Sequence, residues 1–289
     1  MPIVIEPLSA THGCTLGATV TGVDLARLDD DSWAHILDAF HEHALLIFPD
    51  QHPSPETQLA FAGRFGAIEI LIEGQPNIAI SNRDEHGQPL REGSTYRQLL
   101  RGNEGWHTDS SYMPLAAKAS VLSAEVVPPS GGETEWADMR AAYDALAPAT
   151  RDRIEHLHAA HSLYYSQARI GAVAQSGDFY GFGDAAAPRR PLVKVHPVTG
   201  RRSLFIGRHA CDLPGMTAKE SERFLDELMD FACQPPRVHA HAWTPGDVAV
   251  WDNRCLLHRA RPYDDAHARV MRHTRVRGEA ASETALDAA

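Results

Sequence analysis

Gly105-Trp106-His107-Thr108-Asp109-Ser110-Ser111 is the stretch from which the fold of this chain is best interpreted. In an extended segment alternate side chains point to the same face, so His107 and Asp109 would lie side by side. The strand-turn-strand pattern of residues 251–259 supplies a third candidate ligand, His258. Two histidines and one carboxylate form the facial triad that leaves three positions of non-haem Fe(II) open. We therefore expect a metal site where these two stretches meet.

The His-x-Asp pattern is by itself a weak indication of a metal site. The chain contains 17 histidines, so the pattern arises readily by chance. The alternative interpretation is a surface turn capped by the aspartate. Surrounding sequence has to decide between the two.

Length and composition favour a single globular domain over residues 1–289. The net charge of −11 and the pI of 5.8 argue against a nucleic-acid-binding surface, which needs a basic stripe. The four cysteines form no CxxC pair, which favours reduced thiols in a cytoplasmic protein. Neither a signal peptide nor a membrane-spanning run is apparent, so no membrane association is expected.

Short apolar segments separated by proline and glycine turns run through the chain and predict a mainly β fold. Strands are expected at residues 44–48, 78–82, 121–127, 192–196, 203–206, 238–243, 247–251 and 269–276. Helices are expected around residues 33–40, 54–66, 138–146 and 217–231. This pattern favours a double-stranded β-helix, or jelly roll, with helical additions and a metal site at its mouth.

Two long polar segments and the carboxyl-terminal tail lack a sustained period. Residues 83–104 and 166–190 are interpreted as mobile loops, because loops of this length in a compact domain usually cover a site or are disordered. The pair Arg189-Arg190 is interpreted as solvated in the second loop. The tail after residue 278 is expected to be disordered.

Four motifs in this order resemble the TauD/TfdA family of Fe(II)- and 2-oxoglutarate-dependent dioxygenases. They are Trp106-His107-Thr108-Asp109-Ser110-Ser111, residues 126–134, residues 251–259 and Arg269-Val270-Met271. The resemblance covers nearly the whole chain. It implies Fe(II), 2-oxoglutarate and O₂ as cofactor and cosubstrates, with the metal held by His107, Asp109 and His258.

The resemblance also implies positions for 2-oxoglutarate. Arg269, eleven residues after His258, occupies the family's position for the far carboxylate, which suits a planar bidentate donor. Thr134 would add a hydroxyl hydrogen bond. Without the resemblance, Arg269 would be interpreted as a surface arginine on a late strand, and Thr134 as a threonine in a turn.

Within the family, the chain is most similar to the branch that cleaves aryloxyalkanoates. Such enzymes hydroxylate the carbon beside the ether oxygen, and the product collapses to a phenol and pyruvate or glyoxylate, while 2-oxoglutarate gives succinate and CO₂. Phenoxypropionate, with preference for the S enantiomer, and phenoxyacetate herbicides are the substrates implied. His273 stands where the phenoxyacetate enzymes carry a second arginine, so Arg208 is the candidate for the substrate carboxylate. Arg208 and His273 are together predicted to contact the substrate.

Two other functions remain open at this point. A dioxygenase of another small anion, such as taurine or an alkylsulfonate, would use the same metal chemistry. A non-catalytic jelly roll that binds a metal or a small acid would show no oxygen consumption. The resemblance further implies a homo-oligomer, either a trimer or a dimer.

Overall fold

A computed structural model describes residues 2–173, 175–177 and 180–286. The strands are β1 (Val4–Pro7), β2 (Ala18–Thr21), β3 (Leu45–Phe48), β4 (Ile78–Ser81), β5 (Ala117–Val126), β6 (Thr134–Asp138), β7 (His158–His161), β8 (Arg189–Pro191), β9 (Val193–Val195), β10 (Arg202–Leu204), β11 (Ala210–Cys211), β12 (Val238–His241), β13 (Val248–Asp252), β14 (Leu256–Ala260) and β15 (Val270–Arg277). The helices are α1 (Leu8–His12), α2 (Asp30–His43), α3 (Pro55–Gly63), α4 (Thr95–Gly102), α5 (Met139–Ala145), α6 (Pro148–Ile154), α7 (Leu163–Ala168), α8 (Ala218–Ala232) and α9 (Ala280–Glu283), with a 3₁₀ turn at Leu25–Arg27. The strand-rich architecture with helical additions agrees with the sequence prediction.

Two sheets carry the site. The main sheet has seven strands in the order β1-β2-β3-β13-β5-β15-β4, and only β2 and β3 are parallel. A second, antiparallel sheet has the order β12-β6-β14. Smaller pairings join β11-β7-β8 and the hairpin β9-β10.

The alternation of side chains along β13 shows how the layers pack. Val248 and Val250 face the apolar core formed with helices α2 and α3. Ala249 and Trp251 face the opposite way and pack in a core that includes Trp136 of β6. The main sheet is therefore covered by helices on one face and by the second sheet on the other, and the site residues come from this second face.

Helices α5 and α8 lie where the sequence predicted them, at residues 138–146 and 217–231. The Asp138 carboxylate accepts hydrogen bonds from the backbone N–H groups of Arg140 and Ala141 and so caps α5. Thr217 and Glu220 form the reciprocal capping box at the start of α8. Both helices begin where these polar residues satisfy otherwise unpaired amides.

The prediction of a loop throughout residues 83–104 is wrong for residues 95–102, which form α4. Ser94 caps this helix by accepting a hydrogen bond from the Arg97 N–H at 3.4 Å. Leu99 and Leu100 on its inner side line a cavity. A short helix in a polar segment is stabilised here by its tertiary contacts.

Regular secondary structure occupies both ends of the second predicted loop, residues 166–190. Helix α7 covers its beginning, and β8 covers its end. Arg190 is buried rather than solvated, because its guanidinium donates to the carbonyls of Ser111 at 2.6 Å and Glu283 at 2.9 Å. Residues 174, 178 and 179 lie outside the described residues.

The prediction of disorder after residue 278 is wrong as far as residue 286. Helix α9 lies in this segment, and the Glu283 side chain is only 1% exposed and forms an ion pair with Lys194 of β9. The Ala116 N–H donates to the Glu283 carbonyl at 3.1 Å. The tail is thus folded against two distant parts of the chain, and residues 287–289 lie outside the described residues.

None of the helices in the described residues combines the length and the apolar character needed to cross a bilayer. The single-domain organisation, the cytoplasmic location and the homo-oligomeric state stay predictions.

Candidate active site

Backbone hydrogen bonds hold His107 next to His258. The His107 N–H donates to the His258 carbonyl at 3.0 Å, and the His258 N–H donates to the His107 carbonyl at 2.8 Å. This isolated antiparallel bridge brings the two imidazole centroids to 4.1 Å. His258 lies on β14, whereas His107 is followed by a turn, so the extended segment expected over residues 107–109 is limited to this bridge.

The turn that carries Asp109 is fixed by Asn253. The Asn253 side-chain oxygen accepts from the Asp109 N–H at 3.3 Å, and its backbone carbonyl accepts from the Thr108 hydroxyl at 2.8 Å. The next residue, Ser110, has a φ of 53°, a left-handed conformation uncommon for residues other than glycine. The sequence assigned no role to Asn253, although its place between β13 and β14 put it beside the His-x-Asp motif.

The three predicted ligands converge. One ligand atom each from His107, Asp109 and His258 lies within 4.8 Å of the others. His107 Nδ1 contacts the Gly105 carbonyl at 2.8 Å, which leaves Nε2 available. Asp109 Oδ2 lies 3.7 Å from His258 Nε2. Two imidazoles and one carboxylate in this proximity fit a divalent iron.

Two further residues orient the Asp109 carboxylate. The Ser120 hydroxyl donates to Oδ2 at 2.6 Å, and the Arg275 guanidinium lies 2.8 Å from Oδ1. Ser120 in turn accepts a hydrogen bond from Asn253 Nδ2 at 2.9 Å. Such outer contacts fix a ligating carboxylate in one orientation. Ser120 and Arg275 were not predicted, but each faces the site by the two-residue period of its strand.

The protonation states suit metal binding. Burial lowers the pKa of His107 to about 4, and burial followed by the neighbouring His107 lowers the pKa of His258 well below its usual range. For Asp109, burial raises the pKa, but the Arg275 guanidinium outweighs it and the pKa lies well below its usual value. At neutral pH the site therefore offers two neutral imidazoles and one carboxylate, the forms that ligate a metal.

A second group of ligand-like side chains, His196, Asp252 and Cys255, is structural. Asp252 Oδ1 accepts from Arg254 Nε at 2.8 Å, and Oδ2 lies 2.6 Å from Arg254 Nη2 and 3.0 Å from His196 Nε2. Both carboxylate oxygens are thus occupied by protein donors. This network fixes the turn between β13 and β14 that presents Asn253.

One cavity beside the three predicted ligands contains both residues predicted for 2-oxoglutarate. We name it the Arg269 cavity; its lining includes Thr134, Leu122, Trp251, His258 and Arg269. Arg269 is 5% exposed and donates through Nε to the Gly132 carbonyl at 3.1 Å. The Thr134 hydroxyl oxygen accepts from Trp243 Nε1 at 2.9 Å, so its own hydrogen is free to be donated.

A second cavity lies on another side of the same ligands. We name it the Arg208 cavity; its lining includes Leu71, Ile78, Tyr96, Leu99, Leu100, Leu163, Tyr180 and Arg208. Burial lowers the pKa of Arg208 to about 10, and one of its terminal nitrogens donates to the Ser166 carbonyl at 2.8 Å. A Cβ added to Gly102 would lie 2.3 Å from Arg208 Nη1, and one added to Gly105 would lie 3.1 Å from Arg208 Cδ. These glycines leave the space that the arginine occupies.

His273 lies between the two cavities and lines both. Its ring stacks on Trp251 with an interplanar angle of 5°, and its Nε2 lies 3.5 Å from Asp109 Oδ2. Nε2 has no hydrogen-bond partner among the described residues. The structure therefore places His273 beside the predicted metal ligands, whereas Arg208 lines one of the two cavities.

Comparisons with known proteins identify the relatives of this chain. A family model described as "Taurine catabolism dioxygenase TauD, TfdA family" matches residues 5–275. The (S)-phenoxypropionate/alpha-ketoglutarate-dioxygenase of Sphingobium herbicidovorans is 53% identical over 98% of this chain and 97% of its own length. The protein of the same name from Delftia acidovorans is 56% identical over 94% of this chain and 96% of its own length.

A solved structure supports the same relationship. The crystal structure of AAD-2 in complex with Mn(II) and N-oxalylglycine superimposes with a TM-score of 0.87 and is 38% identical. The match covers 96% of this chain and 98% of that chain.

Proposed function

The chain belongs to the TauD/TfdA family of Fe(II)- and 2-oxoglutarate-dependent dioxygenases, and from this premise we propose that it cleaves aryloxyalkanoic acids. As a member of this family it is an oxidoreductase that uses Fe(II), 2-oxoglutarate and O₂. We propose phenoxypropionates as substrates, with preference for the S enantiomer, and phenoxyacetates in addition. The names of the two relatives above 50% identity support this choice.

The observation that carries the proposal is a pair of arginines without acidic partners. Arg140 and Arg254 are buried and pair with an aspartate two residues away. Arg208 and Arg269, in contrast, have no carboxylate within ion-pair distance among the described residues. Arg269 is buried and Arg208 is partly buried. A guanidinium withdrawn from water without an anion is costly, so each of these two is suited to bind an anionic ligand. A dicarboxylate cosubstrate and an acid substrate provide those anions.

The Arg269 cavity is assigned to 2-oxoglutarate. His107, Asp109 and His258 would hold the iron, which with the cosubstrate and O₂ would supply the oxidation of a C–H bond. Arg269 would bind the far carboxylate of 2-oxoglutarate as a bidentate donor, and the Thr134 hydroxyl would donate to it. The low exposure of the three ligands, between 2% and 8%, keeps bulk water away from the reacting atoms.

The Arg208 cavity is assigned to the substrate. Arg208 would bind the substrate carboxylate, and the leucine side chains from α4 and α7 form an apolar wall for the aryl ring. Hydroxylation at the carbon beside the ether oxygen gives a hemiketal or hemiacetal, which loses a phenol and leaves pyruvate or glyoxylate. The alternative substrate taurine fits less well, because its ammonium group would face this apolar wall.

The arrangement of the sheets supports the double-stranded β-helix expected for this chain. The inner face of the main sheet and the sheet β12-β6-β14 enclose one apolar core. We propose that the cavities form the mouth of this β-helix, with the metal site between its two sheets.

A coupled assay tests the proposed function. The protein is reconstituted anaerobically with Fe(II) and 2-oxoglutarate, mixed with one enantiomer of 2-(2,4-dichlorophenoxy)propionate, and exposed to oxygen. We expect phenol and succinate in equal amounts from the S enantiomer, and far less of both from the R enantiomer. Succinate that depends on taurine or an alkylsulfonate, without phenol from any aryloxyalkanoate, would contradict the proposed substrate. No succinate with any substrate would contradict the enzymatic function.

A further inference from the structure

Glu69 is a buried carboxylate outside the predicted ligands and outside both arginine sites. It is 8% exposed, and its backbone N–H donates to the Arg275 carbonyl at 2.9 Å. Its side chain accepts two hydrogen bonds, one from the Tyr180 hydroxyl at 2.5 Å and one from the Ser110 hydroxyl at 2.8 Å. A buried carboxylate needs such donors. One of the two, Ser110, is next to Asp109 in the chain, and the other, Tyr180, lines the Arg208 cavity.

The donor on one side leads to the metal ligand Asp109. Arg275 Nη1 donates to the Ser110 hydroxyl at 3.1 Å, and Nη2 of the same guanidinium lies 2.8 Å from Asp109 Oδ1. Ser110 directly follows Asp109 and has the left-handed φ of 53°. This conformation is unfavourable for serine, so contacts such as that between its hydroxyl and Glu69 have to stabilise it.

The donor on the other side belongs to the wall of the Arg208 cavity. Tyr180 lines that cavity together with Arg208 and Leu163. A continuous path of hydrogen bonds therefore joins the cavity wall at Tyr180 to Asp109 through Glu69, Ser110 and Arg275. Among the described residues, Tyr180 forms no hydrogen bond or ion pair with any of the three predicted ligands.

We propose that Glu69 is a positioning residue for Asp109, acting through Ser110 and Arg275, and that Tyr180 acts on the metal site through Glu69. Glu69 accepts from the Ser110 hydroxyl, which in turn accepts from Arg275, and so holds the Ser110 turn in which Asp109 keeps Oδ2 toward the two histidines. Tyr180 fixes the rotamer of Glu69. The proposal rests on the metal role of His107, Asp109 and His258 proposed above.

Mn(II) binding to the apoprotein, measured by electron paramagnetic resonance without 2-oxoglutarate or O₂, tests the proposal. Glu69→Gln removes the negative charge and one acceptor, and we expect Mn(II) affinity to fall about 10- to 100-fold. Tyr180→Phe removes only the hydroxyl, and we expect a fall of about fivefold. A tyrosine that only packed in the cavity wall would leave Mn(II) affinity unchanged.

The double variant and two controls separate the possible outcomes. If Tyr180 acts through Glu69, the double variant binds Mn(II) as Glu69→Gln does, within about twofold; a fully additive loss overturns that coupling. The controls Glu73→Gln, at an exposed residue of the same segment, and Tyr164→Phe are expected to bind as the wild type does. Unchanged affinity in Tyr180→Phe overturns the role of Tyr180 even if Glu69→Gln proves too unstable to measure.

The same measurements distinguish this proposal from the function on which it rests. A wild-type protein that binds no Mn(II), or that binds it equally well after His107→Ala, contradicts the predicted ligands themselves. Mn(II) binding that requires His107 but is indifferent to Glu69 contradicts only the positioning role.

Discussion

At the scale of single residues, we propose that Arg208 and Arg269 bind two different acids. Each lines a different cavity, and both cavities reach the predicted metal ligands. The two guanidiniums differ from Arg140 and Arg254, whose aspartate partners are part of the fold. Substitution at either site is therefore expected to change one Michaelis constant rather than both.

Arg208→Gln should raise KM for the aryloxyalkanoate roughly 100-fold, because a charge-assisted contact to its carboxylate is lost. KM for 2-oxoglutarate should stay within about twofold of wild type. Arg269→Gln should give the reverse pattern. Steady-state phenol release with each compound varied in turn measures both constants, with Arg64→Gln at a distant ion pair as the control. Equal effects on both constants in each variant would contradict the division.

His161 makes stability depend on pH. Its side chain is 1% exposed, neither ring nitrogen has a hydrogen-bond partner among the described residues, and burial lowers its pKa to about 3. Its usual pKa of 6.5 applies in the unfolded chain. As pH falls from 6.5 toward 3, the unfolded state therefore gains a proton that the folded state refuses. The stability that depends on the neutral form of His161 is fully present above pH 6.5, the pKa in the unfolded chain. It is lost progressively as the pH falls below that value.

His161→Phe should remove this loss while keeping the ring contact with Phe205, whose centroid lies 5.5 Å away. Urea unfolding at pH 7.5 and pH 5 measures the effect. The wild type should lose about 2 kcal/mol more than the variant between these values. His35→Gln, at an exposed residue of α2, should keep the wild-type pH dependence. An identical loss in wild type and His161→Phe would show that His161 is not the group responsible.

At the scale of elements, helix α4 determines the shape of the Arg208 cavity. It supplies Tyr96, Leu99 and Leu100 to the wall, and its last residue, Gly102, lies against the Arg208 guanidinium. Gly102 does not need glycine for its backbone, since its φ is not positive. The glycine is required by the space that Arg208 occupies.

Gly102→Ala should separate stability from substrate binding. Alanine favours the helix by about 0.5 kcal/mol, yet its methyl group would displace Arg208 and raise KM for the substrate about tenfold. Gly63→Ala, at the end of α3 where an added Cβ meets no atom within 4 Å, is the matched control and should leave KM unchanged. Thermal unfolding and phenol release measure the two effects. An unchanged KM in Gly102→Ala would contradict the prediction that this glycine leaves Arg208 in position to bind the substrate.

The elements also show what the sequence could and could not predict. Strands such as β13, with apolar residues on both faces, and capped helices such as α5 were recognisable from local pattern. Helix α4 was not, because its polar residues and flanking glycines resemble a loop and its apolar residues are explained only by the cavity that they line. The burial of Arg190 was missed for the same reason, since its acceptors come from distant segments.

At the scale of the whole molecule, contacts between distant segments complete both the fold and the site. The motifs identify the three predicted ligands. Asn253, Ser120 and Glu69 could not be identified in this way, because they approach those ligands only when segments far apart in sequence fold together. The carboxyl-terminal segment is another example, since Glu283 meets Lys194, 89 residues earlier. No local pattern encodes such a partner.

Glu283→Gln should lower the free energy of unfolding by about 3 kcal/mol, because it leaves the Lys194 ammonium buried without its counter-charge. Lys194→Met combined with Glu283→Gln should recover a large part of that loss, since the double variant buries no unpaired charge. Urea unfolding of wild type, single and double variants measures both values. A single variant as stable as the wild type would contradict the predicted contribution of the Lys194–Glu283 ion pair to stability.

The meeting of two separate cavities at one set of ligands has a consequence for how new activities can be obtained from this scaffold. Much of the wall of the Arg208 cavity comes from α4 and α7, whereas the Arg269 cavity is lined largely from the sheets. A library of variants restricted to Tyr96, Leu99 and Leu163 can therefore be screened with acids of different shape, while KM for 2-oxoglutarate is expected to stay constant. At these three positions the substrate range can change without altering the residues proposed to hold the metal and 2-oxoglutarate.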